Sequence, residues 1–394
     1  MKLLFFLTIN LCVTFVLFAQ NQTDSLLKSV SKNNKAIIAN QHFSDAKKLS
    51  YRTGLYPKNP EVEYNYLWGS PKDIGNQIEF NITQSFDFPM VYYYKKQIAN
   101  QQSAKTGYEQ KYFTNDILLQ AKLVCYEHIY LNKRAIELTQ RLHNAEKYFQ
   151  LYQQKFNSGD VSVVDLNKAK LNLLFAQNEL RFNETERNNI LQELKELTGG
   201  EDFDFTETSY PSPKELPTYD TVSKTFKQSN PLLRFFESDV LINKLQLKEV
   251  KANWLPKFEF GYRSEKVLHQ SLQGFHLGIT IPLWEGTNTI QHQKLNTIYS
   301  ASSLEAYKIK SETELGKLYN RALVLKQVLD DTENILKTSN NREVINQLLE
   351  VGQISFVEYL LEKSYSYKII DDYLQTEKEY NISVAKLLRY ENKY

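Results

Sequence analysis

The sequence predicts a mainly α chain with a membrane β-barrel: long antiparallel coiled-coil helical hairpins plus four transmembrane strands per chain. Three observations predict it. The chain repeats itself about half its length apart. Each half holds one pair of short segments with apolar–polar alternation. Everything between them is long sequence poor in helix breakers, since 394 residues carry only ten Pro and 13 Gly.

The repeat is clearest in two stretches, "FNSGDVSVVDLNKAK" at 156–170 and "LEVGQISFVEYLLEK" at 349–363. Gly159 pairs with Gly352, Ser162 with Ser355, Val164 with Val357 and Asp165 with Glu358, at an offset of 193 residues. "NPEVEY" at 59–64 resembles "LPKFEF" at 255–260, and "FDFPM" at 86–90 resembles "ITIPL" at 279–283. The chain therefore divides into a first unit, 21–213, and a second, 214–394. The segment before them, "MKLLFFLTINLCVTFVLFAQ" at 1–20, has a basic start at Lys2, an apolar run and Ala19 at its end. It predicts a secretory signal cleaved after Ala19 or Gln20. Cleavage removes Cys12 and leaves Cys125 alone, so no internal disulfide is expected. No later stretch has the roughly 18 apolar residues of a membrane helix, so a membrane crossing must be made by strands.

In the first unit a strand is expected at 61–68, where Val62, Tyr64, Tyr66 and Trp68 oppose Glu61, Glu63 and Asn65. A second, at 77–88, sets Ile78, Phe80, Ile82, Phe86 and Phe88 against Gln77, Glu79, Asn81, Thr83, Ser85 and Asp87. In the second unit, strands at 256–263 and 274–284 set Phe258, Phe260, Tyr262, Phe275, Leu277, Ile279, Ile281 and Leu283 against Lys257, Glu259, Arg263, His276, Gly278 and Thr280. Loops are expected at 69–76 and 264–272. Apolar and aromatic residues on one face and charges on the other fit a barrel with lipid outside and water inside, placing Glu63, Glu79, Glu259 and Arg263 toward the lumen. A half-buried hairpin on a soluble core is the alternative.

The remainder reads as helix, at 24–52, 87–156 and 161–199 in the first unit and 222–252, 285–350 and 354–390 in the second. Each unit's long helix would measure about 100 Å, and its two short helices end to end would match it. That equality suits an antiparallel hairpin of two columns. The acidic, proline-bearing segment 199–220 joins the units without continuous helix. Four strands cannot close a barrel, and an open edge in lipid leaves backbone groups unpaired, so several chains must share one barrel; three would supply twelve strands. The repeated glycine turn then lies at the far tip of each helical column. There, Gly159 or Gly352 ends one helix and the following Ser helps start the next.

On these residues — the two tip motifs, the strand-ending "FDFPM" and "ITIPLW", and the internal repeat — the chain resembles the TolC-type outer-membrane efflux proteins, the outer-membrane factors of tripartite efflux and type I secretion systems. The resemblance implies a homotrimer with a twelve-strand barrel in outer-membrane lipid and a helical tunnel in the periplasm. It implies a bacterial outer-membrane channel that conducts passively. It also implies two kinds of partner: a periplasmic adaptor (membrane fusion) protein docked on the tips, and an inner-membrane pump such as one of the RND type. The tips are Gly159, Asp160, Val161 and Ser162 with Gly352, Gln353, Ile354 and Ser355. Family members carry acidic gate residues just after the second tip. Glu358 falls on the first such position and Leu361 on the second, with Glu362 or Asp165 as stand-ins. A ring of carboxylates in a narrow neck favours cations. An ordinary solvated helix residue is the alternative for Glu358, and a plain helix-ending glycine for Gly159 and Gly352.

No phosphate loop, HExxH, CxxC pair or nucleophile elbow appears, so no enzyme is expected. The six His lack ligand spacing and Met1 and Met90 are the only methionines, so neither metal nor cofactor is expected. A net charge of +2 does not suggest a nucleic-acid partner. Two classes remain, a transport conduit and a structural or adhesive envelope coiled-coil protein anchored by its strands.

Overall fold

A computed structural model describes residues 22–211, 215–338 and 342–391. The expected signal segment 1–20 and the repeat boundary at 213/214 lie outside these residues. In chain order the elements are α1 (Gln22–Asn33), α2 (Lys35–Ser50), β1 (Glu61–Leu67), β2 (Gln77–Phe86), α3 (Pro89–Asn157), α4 (Val163–Leu197), α5 (Tyr219–Ser229) and α6 (Pro231–Ala252). They continue with β3 (Lys257–Val267), β4 (Gln270–Thr280), α7 (Thr289–Thr338), α8 (Arg342–Glu350) and α9 (Phe356–Leu387). Among the described residues no helix is long and apolar enough to cross a membrane.

The structure corrects several expected bounds. The helix expected over 24–52 is broken at Asn34, whose side chain accepts from the backbone N–H groups of Ala36 and Ile37, both at 3.0 Å. Its amide also donates to the Leu197 carbonyl at 2.8 Å, so Asn34 caps α2 and pins the break to α4. The helix expected over 222–252 breaks at Asn230, which caps α6 by accepting from the N–H groups of Leu232 and Leu233, with Pro231 in the first turn. The helix expected from 285 begins at Thr289. The wide loop expected at 264–272 is instead a tight turn at Leu268–His269, and the paired strands run on to Val267 and from Gln270. Alternation hid these ends because Ser264, Lys266, Ser271 and Gln273 put polar residues on the otherwise apolar face. At its other end β4 stops at Thr280, ahead of Pro282, which has no N–H to offer a ladder.

The chain divides into two compact units, each discontinuous in sequence. One comprises Ala39–Phe113 and Asn230–Glu312 and contains the sheet, in the order β1-β2-β3-β4, antiparallel throughout. The central pair joins the two sequence repeats, with Gln77 opposite Val267 and Phe86 opposite Phe258. The helices beside it bury Val91, Ile98, Ala99, Ile242 and Ala252.

The other unit comprises the described parts of Met1–Ile38, Thr114–Ser229 and Thr313–Tyr394. Its largest core packs Leu26, Leu27 and Val30 of α1 against Leu118, Ala121, Cys125 and Ile129 of α3 and Leu194 and Leu197 of α4. Each fully buried Leu or Ile there contributes about 1.5–3 kcal/mol. The segment after α4 joins this core: Phe205 is buried and Phe203 and Tyr210 pack against it. What reads in sequence as a linker is therefore a strap lying on the helices. A second cluster sits where α3, α4, α8 and α9 meet, made of Tyr148, Tyr152, Ala169, Leu349, Phe356 and Tyr359.

Candidate functional site

Two features carry the candidate chemistry. The first is the sheet. Partners in register share a face, so Glu61, Glu63, Asn65, Gln77, Glu79, Asn81, Lys257, Glu259, Arg263, Glu265 and His276 lie on one side. Val62, Tyr64, Tyr66, Ile78, Phe80, Ile82, Phe258, Phe260, Tyr262, Phe275, Leu277 and Ile279 lie on the other. The four residues expected to line a lumen, Glu63, Glu79, Glu259 and Arg263, are thus brought to one face. That face is laced by hydrogen bonds. The Gln77 amide donates to Glu79 at 2.8 Å and to Glu265 at 2.7 Å, and His276 lies 3.3 Å from Glu259. The apolar face is bare: Phe275 and Leu277 are 80% and 78% exposed. Trp68 follows β1 and Trp284 follows β4, so exposed tryptophans flank opposite ends of the sheet. Both outer strands, β1 and β4, have one unpaired edge.

The second feature is the pair of turns. After α3, the Asp160 N–H bonds the Lys155 carbonyl at 2.8 Å and the Gly159 N–H the Phe156 carbonyl at 3.0 Å. After α8, Gln353 bonds Leu348 at 2.9 Å and Gly352 bonds Leu349 at 3.2 Å. This is the Schellman pattern twice over, and it requires left-handed backbone, with φ of 82° at Gly159 and 74° at Gly352. Each next helix starts on a serine whose oxygen accepts, at 3.2 Å, from the N–H three residues on: Ser162 from Asp165 and Ser355 from Glu358.

The expected gate carboxylates are drawn into the same turns. Glu358 accepts from the Ser355 backbone N–H at 2.7 Å, completing a capping box. That bond, with help from the Ser355 side chain, holds its carboxyl below the usual range. Asp165 accepts from the Ser162 hydroxyl at 2.7 Å, and this bond, aided by Lys168, likewise lowers its carboxyl. Glu362 is exposed on α9. Of the expected docking residues, Gly159, Asp160, Ser162, Gly352, Gln353 and Ser355 are exposed. Val161 and Ile354 turn inward and pack on the aromatic cluster.

That cluster was not singled out in the sequence reading. Tyr152 packs against Phe356 with ring centroids 4.4 Å apart and Tyr148 against Tyr359 at 4.7 Å, both pairs tilted, so the two turns rest on one shared plug. Helical spacing of Tyr148 and Tyr152 just before the first turn was its available signal. Nor was Arg141 singled out. Its buried guanidinium forks onto Asp371 at 3.0 and 2.7 Å and donates to Glu137 at 3.1 Å, joining α3 to α9. Among the described residues no group of three or more His, Cys, Asp or Glu is placed to hold a metal ion.

No protein-family model and no curated protein matches the sequence. Solved structures do match. A membrane protein from Pseudomonas aeruginosa superposes with a TM-score of 0.80 at 14% identity, covering 95% of this chain and 93% of that one. The Campylobacter jejuni CmeC outer-membrane channel matches at 0.76 and 15% identity, over 94% of this chain and 85% of its own. The Vibrio cholerae outer-membrane protein VceC matches at 0.76 and 10% identity, over 94% and 96%. The chain has the fold of these outer-membrane proteins. Coverage of 94–95% of this chain means that nearly all of it, sheet and helices together, falls within the shared fold.

Proposed function

We propose that this chain is the outer-membrane channel of a tripartite efflux or secretion system, passively conducting substrate delivered by a periplasmic adaptor and an inner-membrane pump. The observation that carries the reading is the sheet: four strands, one face charged, the other bare and aromatic, and both edges open. In water an exposed apolar face with two free edges is an aggregation hazard. In a bilayer the same face is solvated by lipid, and the edges are satisfied by strands of neighbouring copies. Eleven-residue strands such as β3 and β4, at about 3.4 Å per residue and a tilt near 40°, span about 28 Å, close to an apolar band of about 25 Å. Three copies would give the twelve-strand barrel and align the carboxylates of Glu63, Glu79 and Glu259 along its lumen. The exposed tips, held rigid by paired Schellman turns and the aromatic plug, suit docking of the adaptor.

The test is single-channel conductance of the purified protein in a planar bilayer, wild type against Glu358→Gln. Gln preserves the capping box while removing the charge. A cation-selective conductance whose selectivity falls in the variant supports a pore with Glu358 at its neck. Correctly inserted protein that conducts nothing, even with the tip turns cut away, would instead favour a strand-anchored structural protein.

A further inference from the structure

One imidazole takes part in fastening the strap that follows α4, beside the bonds that tie Glu201 and Glu207 to α1. His128, on α3, is 1% exposed, and its ring meets Phe205 of the strap edge-on at 5.4 Å. The Asn132 amide nitrogen lies 3.1 Å from His128 Nδ1 and 3.0 Å from the Glu207 carbonyl. An amide nitrogen only donates, so Nδ1 accepts and the neutral ring carries its proton on Nε2. Nε2 is enclosed without a hydrogen-bond partner. Glu207 in turn holds the start of α1: its carboxylate accepts from the Gln22 backbone N–H at 2.6 Å and from the Thr23 hydroxyl at 2.9 Å. Gln22 also accepts from the Thr206 N–H at 3.0 Å. Asn132 thus spends its two N–H bonds joining His128 on one side to the strap on the other, and the strap joins α3 to α1.

We propose that residues 201–210 form an acid-released strap whose latch is the neutral His128 imidazole. Protonation places an N–H on Nδ1, directly opposite the Asn132 amide N–H. Turning the Asn132 amide over cures that clash but sets its oxygen against the Glu207 carbonyl. Either arrangement loses one of the two bonds, so protonation of His128 breaks the bridge from α3 through Asn132 to the strap and weakens its fastening. The charged groups around the ring are Arg187 of α4 and Asp204 of the strap, which act in opposite directions, with Glu207 committed to Gln22 and Thr23. Burial outweighs them and, with Arg187, pushes the imidazole down to about 4. The sign follows: the native state takes up the proton later than the unfolded chain, so the latch is fully effective above about pH 6.5 and is lost as pH falls toward 4. A periplasm-facing segment of an envelope protein meets external acid directly, and release would expose Phe203, Phe205 and the α1 face they cover.

The test follows backbone hydrogen exchange of residues 201–210 from pH 7.5 to 4, corrected for intrinsic rates, in wild type and His128→Asn. Asn retains an acceptor near the Nδ1 position but does not titrate. Wild-type strap amides are expected to lose protection at least tenfold across the acid limb, and the variant to stay flat. A variant that loses protection as the wild type does would overturn the proposal, because the carboxylates of Asp204 and Glu207 would then govern release. Imidazole C2–H exchange of His128 in the wild type gives a second reading that does not depend on the variant folding. The expected midpoint lies well below 6 and coincides with strap release. A midpoint near 6.5 with the strap still protected would also overturn it.

Discussion

Glu358 and Asp165 stand three residues beyond the serines that start their helices, and that spacing commits each carboxylate to a turn before it can serve a gate. Glu358 is tied to the Ser355 N–H, so charge and cap are separable by substitution. Ser355→Ala is expected to cost about 1 kcal/mol in thermal unfolding, the usual value of a lost serine cap. Glu358→Gln keeps the bond but loses its charge-assisted part, so it should lower the midpoint by less than Ser355→Ala does while also moving ion selectivity. Because both carboxyls titrate below their ordinary values, their contribution is complete above the unfolded pKa and is lost as pH falls through the lower folded one. Protection of the amides of residues 158–166 and 351–359, read by hydrogen exchange corrected for intrinsic rates, should accordingly be greater at pH 7 than at pH 3. The serines at 162 and 355 were legible in the sequence as helix starters, but the carboxylates three residues on read there as gate candidates and not as the other half of the cap. Arg141 was not legible at all: its partner Asp371 is 230 residues away, and one sequence carries no sign of which charge it meets.

At the scale of elements, two glycines and one aromatic plug decide the tips. An added Cβ at Gly352 would meet nothing within 4 Å, so the residue is there for its positive φ and not for space. Gly352→Ala should therefore destabilise by about 1–2 kcal/mol through left-handed strain. Gly107, inside α3 and equally unobstructed, has no such constraint. Gly107→Ala should stabilise by about 0.5–1 kcal/mol. Opposite signs for one chemical change, read by thermal denaturation, separate conformation from packing. Phe356→Ala, at a residue 3% exposed in the plug, should cost about 3–5 kcal/mol and loosen both turns together. Elements were legible where the pattern was pure, as in β1, β2 and α3. They were misjudged where a local bond competed with periodicity. Asn34 and Asn230 each divide an expected helix by capping the next one, and the Asn-Pro at 230–231 was the visible sign of the second break. The paired ends of β3 and β4 were missed because Ser264, Lys266, Ser271 and Gln273 interrupt the alternation there.

For the whole molecule the deciding question is what covers the apolar face of the sheet. Leu277 is 78% exposed, on the edge strand β4, in line with Phe260 and Gln84 of the neighbouring strands. If water covered that face, Leu277→Arg would be nearly neutral, since an exposed surface change shifts stability by no more than about 0.5 kcal/mol. If lipid covers it, the guanidinium must be taken into hydrocarbon at a cost of about 2–4 kcal/mol per copy near the midplane. If three copies share one barrel, as proposed, the cost applies to each of them, and insertion should fail. The companion change Glu265→Arg lies on the opposite face, beside Gln77 and Glu79. It should leave insertion intact and shift conductance toward anions, because it reverses a charge in the lumen without touching lipid. The measurement is the fraction of protein recovered in folded, detergent-resistant trimers from outer-membrane preparations, followed by reversal potentials for the variants that insert. Normal insertion of Leu277→Arg would mean that this face does not meet lipid, and the barrel would have to be given up. Failure of Leu277→Arg with normal insertion of Glu265→Arg would assign one face to lipid and the other to water, which no property of the isolated chain can do.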